Sequence, residues 1–324
     1  MLIKLWGVRG SIPAPLRNAE YQRKLKAVLR EWQRSGSAGE PDEETLTNFI
    51  SGLSPDLKYT YGGDTTCVTV QLEENHMPLI LDCGTGLRVL GDDLMDGPCG
   101  RGQGELRLFL THTHWDHIQG LPFFKPAYIP GNKLTFYSPY GDLEERLVGQ
   151  QQSSYFPMPF HGTASEKSFQ LMEPGRTVEL EGGTLVDGFA LKHPGGSYAY
   201  RFRKNGQTFI FATDCEFTGE DMEASANDEF FQDADLLVMD AQYTLDESFK
   251  KFDWGHTSFT MAVNCAVKWR VKHLVMTHHE PAYQDFQVFR NHVDAIQHKD
   301  AMPAGGLMVH AAREGMTIRL GPKR

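Results

Sequence analysis

Cysteine is sparse in this chain. Its five residues, at 67, 83, 99, 215 and 265, are odd in number, scattered and without C-x-x-C spacing. That argues against a disulfide framework and predicts reduced thiols in a cytoplasmic protein. No run approaches the ~18 consecutive apolar residues of a membrane span, and the start, MLIKLWGVRGS, has neither a long apolar stretch nor a small-residue cleavage site, so neither membrane insertion nor a signal peptide is expected. Positive charge is in deficit: 32 Lys and Arg stand against 42 Asp and Glu, for a formal net charge of −10. Polyanions and anionic membranes require a basic footprint, so no membrane partner and no extended nucleic-acid surface is expected. A small anionic substrate stays open, provided that cations in the site supply the positive charge. Internal repeats, low-complexity tracts and Pro/Ser-rich linkers are also missing, which favours one domain over residues 1–324.

What the chain does contain is a succession of short β-rich runs punctuated by Gly and Asp. They are Leu2–Val8, Cys67–Leu72, Leu79–Leu81, Leu106–Leu110, Leu134–Tyr137, Leu185–Leu191, Tyr198–Arg203, Thr208–Ala212, Leu236–Met239, His273–Met276 and Met316–Leu320. Helical spacing recurs between some of them. One pattern starts at Thr257 or Ser258 as N-cap and puts Phe259, Ala262, Val263, Ala266, Val267 and Arg270 on one face. Another runs over 18–34 with Tyr21, Leu25, Val28, Leu29 and Trp32, and is followed by the polar loop SGSAGEPDEE (35–44), so 14–58 reads as a helical insertion. Residues 121–161, dense in Pro and aromatics, are expected to form an ordered loop or lid, or simply to pack. Many strands with interspersed helices predict an α/β sandwich of sheets flanked by helices.

The segment THTHWDHIQG (111–120) follows the apolar run LRLFL and packs His112, His114, Asp116 and His117 into six positions. Alternate residues of an extended segment point the same way, so His112 and His114 can grip one ion. Asp116 and His117 lie past the strand end, where a turn can aim both at a second. Imidazoles with a carboxylate suit Zn(II), and also Mn(II) or Fe(II). Both ions would remain under-coordinated, and further donors stand where other strands end: His193 in LKHPGGSYAYR, Asp214 in FIFATDCE and His278 in HLVMTHHEP. Four strand ends converging on one edge would build a site for two divalent metal ions.

Taken in order, YGGDTTC, LILDCGTG, H-x-H-x-D-H, HPGGSYAYR, ATD, WGHTS and THHEP resemble the metallo-β-lactamase superfamily over most of the chain. The resemblance implies an αββα sandwich with the metals at one edge of the sheets. It implies His112, His114 and His193 on one metal, Asp116, His117 and His278 on the other, and Asp214 bridging; the adjacent His278 and His279 allow either register. Asp82 resembles an aspartate that orients a ligand histidine.

The superfamily hosts many reactions, so the branch matters. His114, where flavodiiron oxygen reductases carry Glu, disfavours redox chemistry, and Asp214 separates the site from class B β-lactamases. HPGGSYAYR and WGHTS resemble the branch of the tRNA 3′-processing endonuclease, the phosphoribosyl cyclic phosphodiesterase and the class II-like cyclic nucleotide phosphodiesterases. That resemblance implies hydrolysis of a phosphodiester by a metal-bridged hydroxide, with Asp116 and Asp214 as catalytic carboxylates and His256 at the substrate phosphate. The G-G-N of the first half reads Gly62-Gly63-Asp64 here, and no Gly-rich basic arm of the tRNA enzymes is present. With the acidic charge, a small cyclic nucleotide or similar diester is the expected substrate, with Phe123, Tyr128, Tyr155, Phe156 or Phe160 stacking on a base. A homodimer is compatible with this reading. The alternatives are a thioesterase or lactonase using the same metals, and a nucleotide sensor with little turnover.

Overall fold

Alternation of apolar side chains along the strands sorts them into two sheets packed face to face. The computed structural model of the chain describes residues 1–36, 40–73, 76–303 and 305–321. Its strands are β1 (Leu2–Gly7), β2 (Cys67–Gln71), β3 (Leu79–Leu81), β4 (Glu105–Phe109), β5 (Lys133–Ser138), β6 (Glu166–Leu171) and β7 (Val178–Leu180). They continue with β8 (Thr184–Leu191), β9 (Ser197–Lys204), β10 (Gln207–Ala212), β11 (Leu236–Asp240), β12 (His273–Thr277), β13 (Met308–Ala311) and β14 (Thr317–Arg319). One seven-stranded sheet has the order β14-β1-β2-β3-β4-β5-β6, the other β13-β12-β11-β10-β9-β8-β7.

Between the sheets lie Ile3, Leu5, Val68, Leu81 and Phe109 from the first and Val186, Phe202, Phe211, Val238 and Val275 from the second. The outer faces carry the alternate residues. Leu106, Leu108 and Leu110 pack with residues of helix Gly86–Leu94. Leu237 and Met239 pack with residues of helix Phe259–Lys268, whose N-cap Ser258 accepts a hydrogen bond from Met261 N at 3.2 Å. The layers are therefore helix, sheet, sheet, helix, the αββα sandwich expected.

Strand direction gathers the ends that matter. β3, β4 and β5 run parallel, as do β10, β11 and β12. β8 is antiparallel to β9, which is antiparallel to β10, so β8 shares the direction of β10. The residues that follow β4, β8, β10, β11 and β12 consequently emerge at the carboxyl ends of their sheets.

The expected strands are all present, but β6, β7 and β13 were not expected. β6 is mostly exposed, and β7 and β13 are only three and four residues long, too little buried apolar surface to leave a periodic pattern. Residues 14–58, expected as a helical insertion, contain helices Asn18–Arg34, Glu43–Gly52 and Pro55–Lys58. Of the expected loop over 35–44, residues 37–39 lie outside the described residues. The segment 121–161 is more regular than a lid: it contains β5 and helix Leu143–Gln150, which buries Leu143 and Leu147 one turn apart. Among the described residues, no helix is long and apolar enough to cross a membrane.

Candidate metal centre

Three strands deliver their terminal side chains through the same backbone device. Asp82 after β3, Asp214 after β10 and His278 after β12 all adopt left-handed conformations, with φ of 57°, 52° and 62°. Such a residue turns the chain sharply at the strand end, at a cost of about 1–3 kcal/mol that the surrounding packing must sustain. Ser11, with φ 61°, does the same after β1 and donates its N–H to Asp116 Oδ2 at 2.8 Å. Non-glycine residues in this region are uncommon, and their concentration at one edge marks a built site.

The donors converge in two groups that share Asp214. In one, His112, His114, His193 and Asp214 bring ligand atoms together; in the other, Asp116, His117, Asp214 and His278 do so, and a further group of Asp240, His256 and His278 adjoins it at His278. Asp214 Oδ2 faces His112 Nε2 at 3.7 Å and His193 Nε2 at 3.8 Å. Its Oδ1 faces His117 Nε2 at 3.1 Å and His278 Nε2 at 3.2 Å. Asp116 Oδ2 lies 3.2 Å from His117 Nε2 and 3.0 Å from His278 Nε2. The neighbouring His279 turns the other way, with Nε2 on the Ala312 carbonyl at 2.8 Å.

The donors fit a divalent metal. Among the described residues, the buried Nε2 atoms of His112 and His117 have no hydrogen-bond partner, although buried polar atoms in folded proteins rarely go unpaired. Electrostatics divide the groups. Burial holds the His112, His114 and His193 imidazoles below their usual range, which keeps them neutral with a lone pair to donate. Burial opposes charge at His278 too, but Asp214, Asp116 and Asp240 outweigh it and push the imidazole up to about 9. The second half of the site therefore attracts positive charge.

The other ring nitrogens are held from behind. His117 Nδ1 meets Asp82 Oδ2 at 2.8 Å, and Asp82 also accepts from Thr111 N and Oγ1 at 2.8 Å each, so the geometry expected of Asp82 is present. His193 Nδ1 donates to the Gly255 carbonyl at 2.9 Å. His256 stands beside both groups, its ring 5.2 Å from that of His193 and 4.9 Å from that of His278. Its Nδ1 meets Asp240 Oδ2 at 2.6 Å. Asp240 escaped the sequence reading, although it ends the apolar strand LLVMD just as Asp214 follows FIFAT.

A cavity of about 580 Å³ is lined by Thr113, Trp115, Phe123, Arg146, Tyr155 and Phe156, among others; Thr113 and Trp115 flank His114 in the chain, and none of the donor candidates lines it. Trp115 is 77% and Tyr155 76% exposed; Trp115, between two metal-donor candidates, was not singled out from the sequence. Two of the aromatics expected to contact substrate are not in this cavity. Phe160 is 2% exposed and packs against Phe136 and Phe169. Tyr128 packs at the edge of the same core, and its hydroxyl donates to the Pro122 carbonyl. Both lie where the Pro-rich turns fold back onto the sheet, so their apolar surface is spent on packing.

A family model described as Beta-lactamase superfamily domain matches residues 77–279. The chain belongs to that superfamily and is a metal-dependent hydrolase of it. Among curated relatives, a ribonuclease Z of Picosynechococcus sp. is 25% identical over 271 residues, covering 67% of this chain and 80% of its own length. Human tRNase Z, short form, superposes with a TM-score of 0.60 at 18% identity, over 99% of this chain and 100% of that one. Zn(II)-bound PqqB from Methylobacterium extorquens gives 0.65 at 15% identity, over 99% and 100%. These relatives correct one expectation. Proteins named for cleaving RNA match two thirds of the chain or more, so the acidic net charge does not exclude an extended nucleic-acid surface. Net charge averages over the whole surface, whereas a polyanion needs only one local basic tract.

Proposed function

We propose that the chain is a phosphodiesterase working with two divalent ions, Zn(II) or Mn(II), with Fe(II) as a third option. The observation that carries this reading is the posture of Asp214, whose two carboxylate oxygens face two different pairs of histidine nitrogens. In this reading His112, His114 and His193 hold one ion, Asp116, His117 and His278 the other, and Asp214 reaches both. Ions bound there would act as Lewis acids and bring the pKa of water down to about 7.

The chain's own residues complete the chemistry. Asp82 keeps the His117 ring in one orientation and one tautomer. Asp116 and Asp214 direct the reacting groups toward phosphorus. Asp240 occupies His256 Nδ1, which leaves Nε2 to hydrogen-bond a phosphate oxygen and pass a proton to the departing alkoxide. Trp115, Phe123, Tyr155 and Phe156 offer ring faces for a base next to that phosphate. An RNA strand and a cyclic nucleotide are the two forms of the bond to separate. The five buried free cysteines support a cytoplasmic protein, and the core shared by both sheets supports one domain over 1–324.

Hydrolysis of bis(p-nitrophenyl) phosphate with added Mn(II) or Zn(II), and again with EDTA, tests the reading. Turnover that metal supports and chelator removes is expected. Protein shown to hold two metals without turning over the diester would overturn it and favour ester or thioester hydrolysis.

A further inference from the structure

The insertion helix Asn18–Arg34 is basic in an acidic chain. It carries Arg23, Lys24, Lys26, Arg30 and Arg34 against Glu20 and Glu31, while the whole protein has a net charge of −10. The charges are not spread around the helix. Arg23, Lys26, Arg30 and Arg34 stand at i, i+3, i+7 and i+11, within an arc of about 80° at 100° per residue. All four are exposed. Their positions extend over roughly 16 Å of helix axis, the length of about five phosphates along one strand at 3.4 Å each.

The stripe is free to bind and the helix is held still. Arg34 pairs with Glu31 at 2.6 Å and Arg23 Nε reaches only the Ala19 carbonyl. Lys26 and Arg30 have no side-chain hydrogen bond or ion pair among the described residues. Meanwhile Lys24 Nζ bonds Asp285 Oδ2 at 2.6 Å and the Tyr59 carbonyl at 2.5 Å, and Glu20 Oε1 accepts from Asp285 N at 2.8 Å. These contacts dock the helix on the start of helix Asp285–Asp300, seven residues past His278. The acidic helix Glu43–Gly52 packs on the apolar side, where Phe49 meets Trp32 with ring centroids 4.9 Å apart. That side is centred about 150° around the helix from the stripe, so Asp42, Glu43 and Glu44 do not cover it. The chain also links the two sites directly: Ser11, which touches Asp116, is seven residues before Asn18.

We infer that this stripe is a phosphate-backbone exosite, which grips one strand of an RNA whose scissile diester lies at the metal-donor cluster. The binding itself stands on the stripe; its consequence for turnover rests on the phosphodiesterase reading above. Four aligned cations on a rigid helix match a polyanion, whereas a mononucleotide could engage one or two. An anionic membrane is the competing partner for a basic helix: Trp32 and Val28 on the apolar side are partly covered, whereas Tyr21, Leu25 and Leu29 are exposed, so the test includes phosphatidylserine vesicles.

The test compares the parent with R23Q/K26Q/R30Q/R34Q and with a control, K133Q/R176Q/R270Q, that removes exposed basic residues elsewhere. Binding of a labelled RNA stem–loop with a single-stranded 3′ end is measured in EDTA over a salt series, alongside bis(p-nitrophenyl) phosphate turnover with metal. The stripe variant is expected to bind RNA roughly ten- to a hundredfold more weakly and to lose about three from the slope of log K against log salt. The control should keep affinity and slope, and all three should hydrolyse the small diester alike. Equal RNA binding by parent and stripe variant, an equal loss in the control, or binding only to phosphatidylserine vesicles would each overturn the exosite. Absence of diester turnover in the parent would count against the phosphodiesterase reading alone and leave the binding result to stand or fall separately.

Discussion

At the scale of residues, Asp240 and His256 form the pair whose role is most sharply testable. With Nδ1 of His256 held at 2.6 Å, replacing Asp240 by Asn removes the charge that fixes the tautomer. Asp240→Asn and His256→Ala are each expected to lower kcat by roughly 10²–10⁴-fold, with full metal content by elemental analysis and a double variant little worse than either single. Loss of metal in Asp240→Asn would mean that Asp240 acts through His278, whose Nδ1 lies 3.8 Å from the same oxygen. Glu314 is a second residue with a clear signature. Burial pushes its carboxyl up to about 7 from an ordinary 4.5, despite the Asp64 N–H that it accepts at 2.7 Å. A carboxyl raised in the folded state is bound to its proton more tightly there than in the unfolded chain. Its ionisation therefore costs stability that is untouched below pH 4.5, eroded between 4.5 and 7, and fully lost above 7. Glu314→Gln should accordingly melt a few degrees above the parent at pH 8 and level with it at pH 4.5; equal melting at both would mean that the carboxyl is solvated.

At the scale of elements, the loop Asp253–Ser258 matters as much as the strands. Gly255 has φ of 85°, and a Cβ there would lie 2.2 Å from His193 Nδ1, the atom that its own carbonyl holds. Gly255→Ala is expected to displace His193, cutting metal-dependent turnover at least tenfold with a weakened metal affinity, read by turnover across a metal titration. An unchanged titration would show that His193 does not bind metal through this orientation. The same scale governs what could be read in advance. The central strands and helix Phe259–Lys268 were legible because each buries enough apolar surface to impose a period of 2 or 3.6. β6, β7 and β13 were not, since short or exposed strands are stabilised by backbone pairing, which leaves no mark on side-chain type. Helix Leu143–Gln150 was hidden for a related reason: its surroundings are Pro and aromatic residues whose packing, rather than local propensity, sets the backbone.

At the scale of the whole molecule, the metal-donor cluster ties both sheets together. Asp82, His112 and His117 follow strands of the first sheet, and Asp214 and His278 follow strands of the second. A ligand that binds only the folded state stabilises it by an amount that grows with the logarithm of its concentration. Added Zn(II) or Mn(II) should therefore raise the melting temperature of metal-free protein, and the rise should disappear in Asp214→Ala, which keeps six of the seven donors and only one carboxylate, Asp116. A rise that survives in that variant would place the stabilising ion elsewhere.

The amino-acid sequence by itself determined the layers, and it placed four metal-capable side chains within six positions. H-x-H-x-D-H is local, because a strand end can present its side chains without any distant partner, and the apolar periods dictate which strands must be covered on both faces. The tertiary structure alone decided three further matters. It separated His278 from His279, since only the left-handed turn after β12 says which ring faces Asp214. It set Asp240 behind His256, sixteen residues apart in the chain and joined only because β11 and the loop before helix Phe259–Lys268 end at one edge. And it buried Phe160 while exposing Trp115, because aromatic composition is blind to which side of a turn faces the sheet. In each case the deciding quantity is direction in space, which depends on contacts between residues far apart in the chain.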